Sequence, residues 1–148
     1  MNKKPIVGIG LIVLLLGSLA VVEVINKKDC INLHVNYANE EIPILEKCIK
    51  SPEVKALDLL KNNGFTVQGT DKYGDSVLCR LNGLPGPKEE SCKEMPPAEA
   101  YWAILIKKDQ ILFENYAWAQ VGISELVVSP GDSLALVFAK DGSVKFPE

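Results

Sequence analysis

The sequence predicts an α+β domain, a β-grasp-like mixed sheet with one helix, preceded by a single N-terminal transmembrane or signal helix. Three observations predict it. An apolar run fills residues 6–22, flanked by Lys3-Lys4 on one side and Lys27-Lys28-Asp29 on the other. Residues 31–37 alternate apolar and polar, are followed by a hairpin partner, and lead into one helical stripe. From there to the end, short apolar segments are separated by Gly, Pro, Asn and Asp.

The leader comes first. Its apolar run, broken only by Glu23, is about 17–20 residues long, enough for one crossing with little tilt. Lys3 and Lys4 favour keeping the N-terminus in the cytoplasm, so the rest of the chain lies outside. Residues 1–28 are thus a signal-anchor or a signal peptide, and residues 29–148 an extracytoplasmic domain, at the cell surface or secreted. Ser18 and Ala20 have the small-x-small spacing of a cleavage site, so cleavage after Ala20 remains open. Apolar residues continue past Ala20, which favours retention as an anchor. No cysteine directly follows the apolar core, as a bacterial lipoprotein requires.

The four cysteines, Cys30, Cys48, Cys79 and Cys92, all lie beyond the leader. An even number in a small exported domain reads as a disulfide framework. Of the three connectivities the pattern favours Cys30–Cys48 and Cys79–Cys92. A hairpin turning at Asn39 and Glu40 sets Cys30 opposite Cys48, and Cys79 and Cys92 flank a loop rich in Gly and Pro. Zinc is the rival reading, without a C-x-x-C pair and with His34 as the sole histidine.

The elements follow in order. Residues 31–37 are a half-buried strand, and residues 42–49 its partner, with Pro43 marking an edge. Ser51-Pro52-Glu53 reads as a helix start, with Ser as cap, Pro at the first position and Glu on the dipole. Val54, Leu57, Leu59 and Leu60 form its buried stripe, and Asn62-Asn63-Gly64 its end. Residues 65–68 begin a third strand, and residues 71–75 turn about Tyr73-Gly74. Residues 76–82 are a strand ending at Asn82-Gly83, and residues 84–98 a proline-rich loop. Residues 101–106 are an apolar strand, residues 107–110 turn, and residues 111–113 return. Residues 115–122 are an aromatic-bearing connection, residues 126–128 a short strand, residues 129–132 a tight turn and residues 134–138 the last strand.

Charge narrows the partners. The net charge of −3 becomes about −4 without Lys3, Lys4 and Glu23. No basic stripe is present, which argues against nucleic acid and against docking on anionic lipid. A Ser–His–Asp triad has to use His34, which sits on a strand face. Asp71 and Asp75 lack a full set of calcium ligands, and Glu89-Glu90 sit in a solvated loop. No Gly-rich phosphate loop follows a strand, and Leu84-Pro85-Gly86-Pro87 lacks the context of a sortase signal. The expectation is a non-enzyme without metal or cofactor.

The second half resembles a known family. Gly64-Phe65-Thr66-Val67-x-Gly69-Thr70, Cys79-Arg80-x-Asn82-Gly83-x-Pro85 and Cys92-x-x-x-Pro96-Pro97-Ala98-x-Ala100-Tyr101-Trp102 are similar to small secreted proteins of actinobacteria and related Gram-positive bacteria. Their domain is like the one at the C-terminus of transcobalamin and intrinsic factor, the DUF4430 type. Tyr116-x-Trp118-x-x-x-Gly122 and the turn at Gly131-Asp132 extend the resemblance over about residues 51–138. It implies a β-grasp-like fold and little about activity. In the transcobalamin-type proteins the domain closes over cobalamin with a separate helical barrel, which this chain lacks. Family members usually place more aromatics after Tyr-Trp, where this chain has Ala103-Ile104-Leu105-Ile106.

The expected function is a non-catalytic extracytoplasmic binding module, membrane-tethered or secreted, for a protein, glycan or small ligand. The alternatives are a structural envelope component and a small-ligand carrier of the cobalamin type. The candidate binding patch is Tyr73, Trp102, Tyr116 and Trp118; core packing is the competing assignment for these rings.

Overall fold

The computed structural model describes residues 27–109 and 115–147. The leader, with Ser18 and Ala20, and the returning segment 111–113 lie outside the described residues. Among the described residues no helix is long and apolar enough to cross a membrane.

A 3₁₀ turn at Lys27–Asp29 leads into β1 (Ile31–Asn36), where Ile31, Leu33 and Val35 are buried and the even-numbered residues face the other side. This is the pleat expected from period-2 alternation. β2 (Leu45–Ile49) returns antiparallel with Ile31 opposite Ile49 and Asn32 opposite Cys48. The register is therefore shifted by two from the expected one, and Cys30 and Cys48 meet diagonally, with Cα atoms 5.5 Å apart in a formed disulfide. β2 is an edge strand, consistent with Pro43 just before it.

The helix start expected at Ser51-Pro52-Glu53 is corrected. Val54–Lys55 form a short strand, β3, and the helix α1 spans Ala56–Asn62. The reason is tertiary. β3 pairs with β8 (Val127–Val128), which holds the backbone extended through Lys55. The first helical N–H groups then find carbonyl partners across the chain. Ala56 N–H donates to Leu126 O at 2.8 Å and Leu57 N–H to Ile123 O at 3.2 Å, so no side-chain cap is used. Ala56, Leu59 and Leu60 are the buried face. Gly64 ends the helix in the left-handed region, with φ +86°. Gly64→Ala is expected to cost about 1–2 kcal/mol, because a Cβ there is strained although space is open around it. Urea unfolding of the variant checks this.

β4 (Val67–Thr70) and β5 (Gly74–Leu81) form a bulged hairpin. β6 (Ala100–Lys107) follows the proline-rich loop. The connection expected at residues 115–122 contains a strand, β7 (Ala117–Trp118), paired to β6 with Trp118 opposite Leu105. The chain closes with β9 (Ser133–Lys140). The main sheet has the order β2-β1-β9-β6-β7, with β1 and β9 parallel and the other pairs antiparallel. The fold is α+β, mostly sheet with one short helix.

The core lies between one face of this sheet and α1 with the β4–β5 hairpin. Leu33, Leu134 and Leu136 from the sheet meet Leu59, Leu60, Leu81 and Ile123, all at most 1% exposed. On the other face Ala103, Leu105, Ala135 and Val137 are also buried, beneath Tyr101, Tyr116 and Val144. The second disulfide, Cys79–Cys92, is formed with Cα atoms 5.7 Å apart. All four cysteines are oxidised, the state of an extracellular or otherwise oxidising compartment.

Candidate functional site

β1 ends in Asn36, Tyr37 follows it, and the turn after them is built locally. The Asn36 side-chain oxygen accepts from Ala38 N–H at 2.8 Å, and Asn39 Oδ1 accepts from Glu41 N–H at 2.9 Å. Ala38 sits at φ +51°. This raises residues 38–44 as a wall beside the sheet end. The facing wall is the proline-rich loop. Asn82 and Gly83 both have positive φ, +52° and +81°, and reverse the chain so that Leu81 bridges to Leu84. Arg80 then braces the loop from below. Its Nε donates to Pro85 O at 2.9 Å, its Nη2 to Glu90 O and its Nη1 to Gln68 Oε1 at 2.8 Å. Cys92 ties the far end of the loop to β5.

Between the walls is an open cleft of about 1230 Å³. Its floor is aromatic. Trp102 lies edge-on to Tyr37 and to Phe138, each with ring centroids 5.3 Å apart. The indole Nε1–H of Trp102 donates to Leu84 O at 3.1 Å, which joins floor to wall. Asn82 Nδ2 donates to the Tyr37 hydroxyl at 2.9 Å. The rim carries Glu40 and Glu41 on one side and Glu89 and Glu90 on the other, with Lys140 and Lys145 as the lysines of the lining. The cleft sits at the end of β1 opposite the point where residues 1–26 join, about 20 Å away along six strand residues.

The four patch residues do not converge. Trp102 is only 5% exposed and packs in the core, reaching the surface as part of the cleft floor. Trp118 is exposed on the far sheet face, stacked on Tyr101 at 6.4 Å and edge-on to Phe146 at 6.0 Å. Tyr116 is half-buried on that same face. Tyr73 is exposed at the β4–β5 turn, with Lys72 Nζ 5.4 Å from its ring centroid. Tyr37 and Phe138 are the floor residues that sequence reasoning missed. Tyr37 had a signal, as an aromatic closing an alternating strand before an Asn-Glu-Glu turn.

His34 faces Glu46 across the hairpin, with Nδ1 3.4 Å from Oε1. Asp75 is paired to Lys61 at 3.1 Å. Among the described residues no three His, Cys, Asp or Glu side chains gather as metal ligands.

Burial pushes the Tyr37 phenol above its usual value of about 10, against the lowering effect of the Asn82 bond. Burial also raises Tyr116, with Glu46 adding and a Ser133 hydrogen bond opposing. In the unfolded chain both phenols ionise first. Their contribution is therefore complete below about pH 10 and is lost as the pH rises through the raised folded values. The urea midpoint is expected to fall as the pH rises above about 10, and the slope to flatten in Tyr37→Phe/Tyr116→Phe.

No protein-family model, curated protein or solved structure matches this chain.

Proposed function

We propose that the protein is a non-catalytic extracytoplasmic binding module, and that the cleft between residues 38–44 and the proline-rich loop is where it binds. The observation that carries this reading is the cleft itself. Its aromatic floor is held by ring contacts and by the Trp102–Leu84 hydrogen bond, and one wall is stapled by a disulfide. Preorganised walls lower the ordering cost of association, and aromatic floors supply large contact area. Delivery by the leader, as an anchor or a signal peptide, puts this domain outside the cell. The cleft is at the strand end away from residue 27, where the leader joins.

The fold of this module is β-grasp-like in our reading. What supports it is the strand order, with first and last strands parallel at the centre and a helix after the first hairpin. The resemblance to the transcobalamin C-terminal type is proposed on the same footing. Its Asn-Gly element is the turn that opens the proline-rich loop, and its Tyr-Trp element lies on β6, with Trp in the cleft floor.

Site-specific photocrosslinking on cells expressing the full chain tests the site. A photoreactive side chain at Ile44 or Glu89 is expected to give one discrete adduct, and at Lys61 on α1 none. Equal adducts at all three positions, or none at the cleft, would sink the assignment.

A further inference from the structure

We infer that the cleft selects a cationic partner, namely an extended peptide segment in which lysine or arginine flanks an apolar residue. This rests on the binding reading above and adds the chemistry of the occupant. Three features lead to it. The cleft is open, and at about 1230 Å³ it exceeds the roughly 300–1,000 Å³ of a typical small-molecule pocket, so a length of chain suits it better. Its floor of Tyr37, Trp102 and Phe138 calls for an apolar side chain. Its rim is net acidic, with four glutamates on the two walls against Lys140 and Lys145 in the lining.

The four glutamates are not equivalent. Glu89 Oε2 accepts from Gly86 N–H, and Glu90 Oε1 from Cys92 N–H at 2.9 Å, so these two fix the loop and keep a second oxygen for a partner. Glu40 and Glu41 are exposed, and among the described residues no hydrogen bond or ion pair engages their carboxylates. Carboxylates on opposite walls leave a cationic side chain on either flank of a bound segment within reach of one. An anionic segment meets repulsion on both. Exposed pairs of this kind are each weak, so they select more than they bind, and the floor supplies the affinity.

The test is selection of random peptides by phage display against the full chain in detergent micelles, followed by binding of the recovered peptides as synthetic probes. The two tryptophans report the location. A peptide in the cleft moves the indole N–H resonance of Trp102, whereas one on the far face moves that of Trp118. The expected outcome is peptides rich in Lys or Arg beside a Leu, Phe or Trp that move Trp102 alone. Their affinity is expected to fall about two- to fivefold in Glu40→Gln/Glu41→Gln and further as salt rises from about 0.05 to 0.5 M. Peptides that move Trp102 but are neutral or acidic, or that ignore both salt and the double variant, overturn the charge inference and leave the cleft standing. Peptides that move only Trp118, or recovery of none, overturn the cleft as the binding site.

Discussion

Cys79→Ala/Cys92→Ala is expected to cost about 3 kcal/mol of stability and to release one wall of the cleft. The bridge closes a segment of sequence separation 13, for which the loss of chain entropy in the unfolded state corresponds to about 3 kcal/mol. Alanine is the right replacement, because both positions are 1% exposed and serine would bury two hydroxyls. Past the end of β5 at Leu81, the segment it closes has no regular structure apart from the Leu81–Leu84 bridge. Also holding it are the Arg80 fork, the Trp102–Leu84 bond, the Glu89 and Glu90 carboxylates, and Asp71 N–H donating to Cys92 O at 2.8 Å. Urea unfolding measures the global cost. Amide exchange then separates two cases. If the bridge is the main restraint, residues 84–92 lose protection while β1 and β9 keep theirs, and peptide binding at the cleft weakens with them. A loss under about 1 kcal/mol with the loop still protected shows that the hydrogen bonds suffice without the bridge. Cys30–Cys48 spans a similar separation of 18, but the β1–β2 ladder already joins its ends. Its removal is expected to leave the cleft loop unchanged.

The features legible in the sequence were those set by local periodicity and by turn chemistry. Alternation at residues 31–37 placed β1 and its buried face, Pro43 marked an edge, and Gly64 and Asn82-Gly83 marked turns that need positive φ. Both disulfides followed from cysteine placement, although the register that joins Cys30 to Cys48 is shifted by two. The failures have one cause, which is pairing across long sequence distance. Ser51-Pro52-Glu53 carries every local sign of a helix start, yet the β3–β8 pairing keeps Val54–Lys55 extended and moves the start to Ala56. β7 is two residues long and exists because β6 offers it an edge. The cleft is the extreme case. Tyr37 and Trp102 are 65 positions apart in number, and Phe138 lies on the strand between theirs. No periodicity within any one segment brings them together.

Asp132→Ala is expected to cost about 3 kcal/mol while leaving the cleft's affinity for a peptide unchanged. Asp132 is 4% exposed and belongs to the turn that sends the chain into β9. Its Oδ2 accepts from Ser129 N–H at 2.8 Å and from Lys108 Nζ at 2.7 Å, and its Oδ1 accepts from Asp109 N–H at 3.2 Å. One carboxylate thus joins its own turn to the turn after β6. Its backbone oxygen adds β1, accepting from Asn32 N–H at 2.9 Å. Removing the side chain takes the acceptor from three donors at once. A truncated buried pair costs roughly 3–5 kcal/mol, and the low end applies because Lys108 is partly exposed and keeps its bond to Val127 O at 2.8 Å. Asp132→Asn separates charge from shape. It keeps one acceptor oxygen and turns an amide toward a donor, so about half of the loss is expected. Lys108→Met removes the charge pair but spares both backbone bonds, with about 1 kcal/mol expected. If Asp132→Ala falls within about 1 kcal/mol of wild type, the turn is held by its backbone and the carboxylate is incidental. The contrast with the Cys79–Cys92 pair is the informative part. Both variants are destabilised by a similar amount, but Asp132 lies where β1 begins and the cleft lies where it ends. Loss of cleft binding in one variant and not the other therefore attributes binding to the local order of the loop and not to global stability.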